Sequence, residues 1–229
     1  MTAINQGAEL RTLLSHFYLK GKGLEIGALH HPLDIPANAF VEYVDRLPME
    51  KLREHYPELK DQNLVCVDIL DDGEKLATIR DCSRDFIIAN HMLEHCISPI
   101  TTLECFLSKL VAGGIIYIGI PDKRFCFDKE RQLTTYQHLL DDYYQKNDQF
   151  QHFLEWVRFV NLIDDPQEIQ KNAMHLFSMG YSIHYHVWDY PSFVQFLIKT
   201  NEFLKNSFDI LNISFSDFRE EIITVLRKK

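Results

Sequence analysis

Gly23-Leu24-Glu25-Ile26-Gly27-Ala28-Leu29-His30-His31-Pro32 reads as a short buried strand that breaks into a tight turn of small residues. Glycine needs no Cβ clearance and tolerates positive φ, so Gly27 suits a turn that lets a ligand approach the backbone. Glu25 adds a negative charge at the same turn. A run of this kind can also simply reverse a chain, so its meaning depends on the elements around it.

Before the strand, Leu10, Leu13, Leu14, Phe17 and Tyr18 recur at helical spacing, and Gly21 and Gly23 end that helix. Residues 40–44 read as a second strand closed by Asp45-Arg46, followed by a helix with Pro48 at its start. Residues 64–67 read as a third strand ending at Asp68-Ile69, and residues 86–89 as a fourth with Asn90-His91 at its carboxyl end. A helix carrying Leu103, Phe106, Leu107 and Leu110 on one face, interrupted by Pro99, leads through a Gly113-Gly114 turn to a fifth strand at 115–120. The strands are almost wholly apolar and alternate with helical patterns. That combination indicates a parallel sheet with helices on both faces. Ligands of such sheets bind outside the carboxyl ends of the strands, and Glu25, Asp45, Asp68, Asn90, His91 and Asp122 all fall there.

Beyond residue 122 the periodicity changes. Leu139, Leu140, Tyr143, Tyr144, Phe150, Phe153, Leu154 and Val157 suggest short helices, and Asp164-Asp165-Pro166 opens another by carboxylate capping. Residues 123–187 are therefore expected to be a helical insertion or lid on the acceptor side, or else an elaborated helical layer with no substrate role. Residues 1–122 would form the cofactor-binding part. Residues 188–229 would supply a last helix, with Phe193, Phe196, Leu197 and Ile198 facing inward, and two edge strands at 208–215 and 221–226. Pairing those two antiparallel gives seven strands.

The chain has 229 residues, 46% of them apolar, and a formal net charge of −9 from 33 acidic and 24 basic residues. With no run of five or six basic residues, a nucleic-acid phosphate footprint is not expected. Cys66, Cys82, Cys96, Cys105 and Cys126 lack paired spacing and read as reduced, buried thiols. Residues 1–20 hold no long apolar core, so neither a signal peptide nor a membrane span is expected, and a cytoplasmic location follows by default.

Asp45 lies about 18 positions past Gly27, near the spacing at which a carboxylate meets ribose hydroxyls in dinucleotide folds. The Gly-x-Gly-x-x-Gly fingerprint is missing, and Pro32 delays the helix that would face a pyrophosphate. An NAD-type oxidoreductase is thus disfavoured, and a nucleoside carrying a positive centre is the better partner for Glu25. Asp68 and Ile69 could flank an adenine; Asp68 could equally cap a turn.

These segments together resemble class I S-adenosylmethionine-dependent methyltransferases. The Glu25-Ile26-Gly27 turn is similar to that family's first motif, Val44-Asp45-Arg46 to its ribose-binding end of strand two, and Val67-Asp68-Ile69 to its adenine-side motif. Asn90-His91-Met92-Leu93-Glu94-His95 resembles its signature after strand four, and Leu110–Ile116 its turn before strand five, with Val111-Ala112 in place of a basic residue and proline. The resemblance implies a Rossmann-like α/β methyltransferase fold, a mostly parallel seven-stranded sheet with a helical insertion after strand five. It implies S-adenosyl-L-methionine as cofactor, held by Glu25, Gly27, Ala28, Asp45, Arg46, Asp68, Ile69 and Asn90. The segment from Glu25 to Pro32, Pro121-Asp122-Lys123-Arg124 with Phe127-Asp128, and His184-x-His186-Val187-Trp188 resemble a bacterial subgroup associated with surface-glycan synthesis. That likeness implies a small-molecule or glycan acceptor, free or linked to a nucleotide or lipid. A homodimer is left open, as is a non-catalytic scaffolding role on a degenerate fold.

Methyl transfer to a hydroxyl needs in-line alignment and a base. His91, Asp122, His184 and His186 are the candidates, the last two favoured because they lie where the insertion returns to the sheet. The pair could instead form a structural network beside Trp188, or with Asp122 hold a metal; no metal ligand set is assigned. Lys123 and Arg124 are either an anchor for an acceptor phosphate or ordinary loop charge. Glu94 and His95 are read as organising the helix start.

Overall fold

The computed structural model describes residues 6–59, 61–217 and 220–229. Strand β1 (Gly21–Ile26) lies inside the sheet, parallel to β2 (Ala39–Asp45) on one side and to β4 (Arg84–Asn90) on the other. The short β3 (Ile69–Leu70) extends the sheet beyond β2, and β5 (Leu110–Pro121) extends it beyond β4. On that far side β7 (Glu221–Lys228) runs antiparallel to β5, and β6 (Phe208–Ser216) pairs antiparallel with β7. The order is β3-β2-β1-β4-β5-β7-β6. The chain therefore winds outward from β1, returns, and winds outward the other way from β4. The crevice such a reversal opens lies between the carboxyl ends of β1 and β4. This is a methyltransferase-like α/β fold with seven strands and helices on both faces.

Helix α1 (Gln6–Tyr18) covers one face, where Leu10 and Leu14 pack over Leu19, Phe86, Ile88 and Tyr117. The opposite face carries α3 (Pro99–Lys109) and α7 (Tyr190–Phe203), whose Leu103, Phe106, Phe193 and Phe196 join Leu24, Ile87 and Ile118 in the main core. Between β5 and α7 come α4 (Tyr136–Tyr143), α5 (Phe150–Phe159) and α6 (Pro166–Ser178). The last two pack on each other around Phe153, Trp156, Val157 and Ala173, with Ile183 from the following segment. The remaining helix, α2 (Met49–His55), begins after Pro48.

Several expectations are corrected. Residues 64–67 are not a strand; the ladder reaches only Ile69–Leu70. The Asp68 carboxylate accepts the Tyr43 N–H at 2.9 Å and the Asp68 N–H donates to Tyr43 O at 2.9 Å, so a side chain stands in for a ladder carbonyl. Pro99 does not interrupt α3 but opens it, where its missing N–H costs no bond, and Ser98 caps the helix. Strand β5 runs back through Gly113-Gly114 to Leu110. Ile198 faces outward at 47% exposure, and of the five free cysteines only Cys96 is buried. Among the described residues no helix is long and apolar enough to cross a membrane.

The centre of the sheet is tight. A Cβ on Gly23 would fall 2.2 Å from the ring of Phe86, its fully buried neighbour on β4. Overpacking of this kind costs about 1–3 kcal/mol. Gly23→Ala should therefore lower the urea midpoint of unfolding with an unchanged m-value.

Candidate active site

A cavity of about 850 Å³ opens at the carboxyl ends of β1 to β4. Gly27, Asp45, Arg46, Leu70, Asp71, Asn90 and His91 line it on the sheet side, Met92, His95 and Cys96 after β4, and Ser182 beyond α6. A smaller cavity of about 270 Å³ adjoins it, lined by Glu25, Ala28, His30 and Arg11 and sharing Gly27, Asn90 and His91. Of the residues expected on the cofactor side, Asp68 and Ile69 line neither; Asp68 is exposed and engaged with Tyr43. Leu70 and Asp71 take that end of the cavity instead.

The turn after β1 has the expected character. Gly27 sits at φ +64, and a Cβ there would meet nothing within 4 Å, so the backbone is both left-handed and open to the cavity. Glu25 is 1% exposed and accepts the Leu33 N–H at 2.9 and 3.2 Å, which folds residues 27–33 back over the strand end. Burial pushes its pKa up to about 7, against the opposing effects of that N–H and of Arg11. Asp45 is also raised by burial, and its carboxylate accepts the Leu47 N–H at a long 3.3 Å. At the end of β4 both polar atoms of the Asn90 amide are buried without a hydrogen-bond partner. Gly119 on β5 makes room for it; a Cβ there would lie 2.8 Å from Asn90 Oδ1.

His91 adopts φ +49 and reaches two buried carboxylates, Nε2 to Glu221 Oε2 at 3.0 Å and Nδ1 to Glu94 Oε1 at 3.5 Å. Burial alone would lower its pKa, but Glu221 and Glu94 push it up to about 9. It is a cation at neutral pH with no lone pair to act as a base, contrary to expectation. Asp122 is excluded as well. It is fully buried, accepting the backbone N–H and side-chain N–H groups of Arg124 and the Tyr190 N–H, and it lines neither cavity. Arg124 is thereby committed, and Lys123 Nζ donates to Lys129 O at 2.7 Å, which leaves the expected phosphate anchor without support.

The two histidines of the His-x-His segment part company. His184 Nδ1 lies 2.6 Å from Asp128 Oδ2, and Arg131 holds the other Asp128 oxygen at 2.9 Å. Burial raises the Asp128 pKa, but His184 and Arg131 outweigh it and hold the carboxyl below its usual range. His186 turns instead towards Ile97 O at 3.2 Å and the rings of His138, His152 and Trp188. It is 1% exposed, and burial lowers its pKa to about 3, so it does not serve the cavity as a base.

Sequence reasoning missed His95 as a chemical group, although it follows a strand end and a turn of helix brings it back to the rim. His95 lines the larger cavity, and its Nδ1 faces Ile183 O at 2.8 Å. A nitrogen facing a carbonyl must carry the proton, so the lone pair of the neutral ring is on Nε2. Burial lowers its pKa to about 4 despite the adjacent Glu94. Glu94 is 1% exposed, and beyond the 3.5 Å ion pair of Oε1 with His91 its oxygens make no hydrogen bond. Glu94, His95 and His184 each offer a ligand atom within 4.8 Å of the other two, and His138, Asp142 and His152 form a second such group.

No family model matches the chain, and no curated protein matches it. Solved structures do. A chain from the complex of the Haloferax volcanii Trm112 methyltransferase activator with a methyltransferase superposes with a TM-score of 0.51 at 11% identity, covering 98% of this chain and 90% of that one. A protein of Methanococcus maripaludis described as an S-adenosyl-L-methionine-dependent methyltransferase gives 0.50 at 14% identity, covering 98% and 85%. The chain spans about half, 54%, of the CurJ carbon methyltransferase chain, with 97% of this chain covered at 13% identity and a TM-score of 0.48. At these identities the likeness shows the fold alone.

The raised Glu25 pKa has a definite sign. An unfolded glutamate releases its proton near 4.5, whereas the native one keeps it to about 7. The native state therefore binds more protons across that window, and stability falls as pH rises through it, by about 3 kcal/mol in full. Thermal unfolding should show Glu25→Gln more stable than the parent at pH 8, with the gap closing by pH 4.5.

Proposed function

We propose that this chain transfers a methyl group from S-adenosyl-L-methionine to a hydroxyl of a small-molecule or glycan acceptor. The reading is carried by the row Gly27, Asp45 and Asn90 along one cavity at the reversal of strand order, with the Asn90 amide unpartnered. Those residues fit the cofactor. Asp45 keeps lone pairs for a ribose diol, Leu70 and Asp71 bound the adenine end, and the open Gly27 backbone admits the amino-acid portion beside the Glu25 carboxylate. Bound there, the cofactor supplies an electrophilic methyl on a cationic sulfur.

The remaining work falls to the acceptor side. His95 Nε2 accepts the hydroxyl proton, and Glu94 stands beside the ring to stabilise the positive charge it gains. His184, fixed by Asp128, packs against His95 with ring centroids 4.6 Å apart and keeps that wall rigid and dry. A base of low pKa contributes at the lower end of the usual range, so orientation supplies most of the rate. The sugar identity of the acceptor rests on the motif resemblance. A dinucleotide oxidoreductase is disfavoured by the absent glycine fingerprint.

Calorimetry with S-adenosyl-L-methionine and its demethylated product tests the cofactor assignment. Asp45→Ala should weaken binding by roughly 1.5–3 kcal/mol, the loss of a charged hydrogen-bonded contact. His95→Ala should leave affinity nearly unchanged while cutting labelled methyl transfer to sugar acceptors by about 100-fold or more. Absence of cofactor binding at millimolar concentration overturns the reading; binding without transfer to a broad acceptor panel favours a scaffolding role.

A further inference from the structure

A second polar centre lies away from the cavity, where α4, α5 and the segment before α7 meet. His138 and Asp142 are four residues apart on α4 and share a face; His152 comes from α5 and His186 from the extended segment. Asp142 is 6% exposed, His152 5% and His186 1%. The groups within ion-pair reach of Asp142, among the described residues, are all imidazoles. His138 Nε2 stands 3.3 Å from Oδ2, His186 Nε2 3.8 Å from Oδ2, and His152 Nε2 4.0 Å from Oδ1.

Those separations decide between two accounts of the cluster. A charge-assisted hydrogen bond would draw an imidazole nitrogen to about 2.7–2.9 Å of a carboxylate oxygen. Here three rings converge on one carboxylate, and none comes that close. Asp142 Oδ2 is buried with no hydrogen-bond partner. Four donors sharing one ion at metal–ligand distances of about 2.0–2.1 Å stand about 3.3 Å from one another in a tetrahedron. Here the three nitrogens lie 3.3–4.0 Å from the two Asp142 oxygens, and the ligand atoms of His138, Asp142 and His152 all fall within 4.8 Å of one another, so a small inward closure brings them to one ion. The surroundings are also those of a ligand set. Asn147 Nδ2 donates to Asp142 Oδ1 at 2.8 Å and to His138 O at 3.1 Å, fixing the carboxylate on its helix.

The geometry points to a divalent transition-metal site, with zinc as the ion, held by His138, Asp142 and His152 and completed by His186. Imidazole nitrogens with one carboxylate suit zinc and disfavour calcium or magnesium, which take oxygen ligands. His186 Nε2 also lies 3.2 Å from Ile97 O, so it joins as fourth ligand by turning from that carbonyl. The ion joins α4 and α5 to the segment that carries His184, and so braces the cavity wall from behind. It performs no step itself, and the site stands whether or not the chain transfers methyl groups.

The test uses the full chain, loaded with zinc and dialysed, and reads metal content by plasma mass spectrometry. One zinc per chain is expected, with His184→Gln retaining it and both His152→Ala and Asp142→Asn binding more than about 1,000-fold more weakly, beyond the roughly 10–100-fold loss caused by removing an outer hydrogen-bonding partner. Removal of zinc by a chelator should lower the melting temperature of the parent. Cobalt substitution of the parent chain reads the site without any variant, and intense visible bands of tetrahedral cobalt are expected. Failure of the parent to retain zinc, weak octahedral bands, or loss of zinc in His184→Gln with retention in His152→Ala would each overturn the assignment.

Discussion

Glu221 is a carboxylate with no access to water, and two distant parts of the chain close around it. Arg11 on α1 bonds both of its oxygens, from Nε and from Nη2, across 210 positions of sequence. His91 at the end of β4 adds a third donor at 3.0 Å. Removing one partner of a buried pair costs about 3–5 kcal/mol because the other charge is left stranded. The pairing thus ties the first helix to the start of the last strand, which pairs antiparallel with both β5 and β6. It also sustains the left-handed backbone at His91, a strain that persists only where its surroundings over-determine it. Because His91 lines both cavities, the closure of the sheet and the shape of the site depend on one electrostatic link.

The segment from Ile183 to Trp188 does a comparable job on the other side. Ile183 is buried in the small α5–α6 core, while Trp188 is buried in the main core over the sheet. The extended chain between them bridges two hydrophobic clusters that otherwise share little. Its histidines are therefore held by their apolar neighbours before any polar contact is made. One is steered to Asp128, the other to the Asp142 cluster. The rigid helical layer and the cavity wall are connected through six residues.

Much of the sheet was legible in the sequence because buried parallel strands are continuous apolar runs. Residues 86–89 and 115–120 needed no side-chain partner to be recognised. Residues 64–67 have the same composition and are not paired, because Asp68 turns its carboxylate onto Tyr43 and displaces the ladder there. Periodicity cannot see that competition between side chain and backbone. The location of the cavity, at the carboxyl ends of β1 to β4, followed from topology. The identity of its groups was less legible. Asp122 looked available because it ends a strand, but Arg124 two residues on folds back to occupy it. The spacing of His184 and His186 suggested one face, whereas their partners come from residues 128 and 142, in helices and turns whose packing no local pattern encodes.

The histidines at the cavity show how far chemistry can diverge over a short distance. His91 and His95 are four residues apart on either side of one buried glutamate. His91 meets carboxylates at both nitrogens and is held protonated to about pH 9. His95 meets a backbone carbonyl at one nitrogen, is desolvated at the other, and stays neutral down to about pH 4. Pairs of titratable groups pushed apart in this way separate the charge of a site from its proton acceptor. The difference is set by which oxygens each ring reaches, and those oxygens come from β7 and from the segment after α6. A sequence that placed both histidines in the same turn could not assign them opposite states; only the return of two remote segments does.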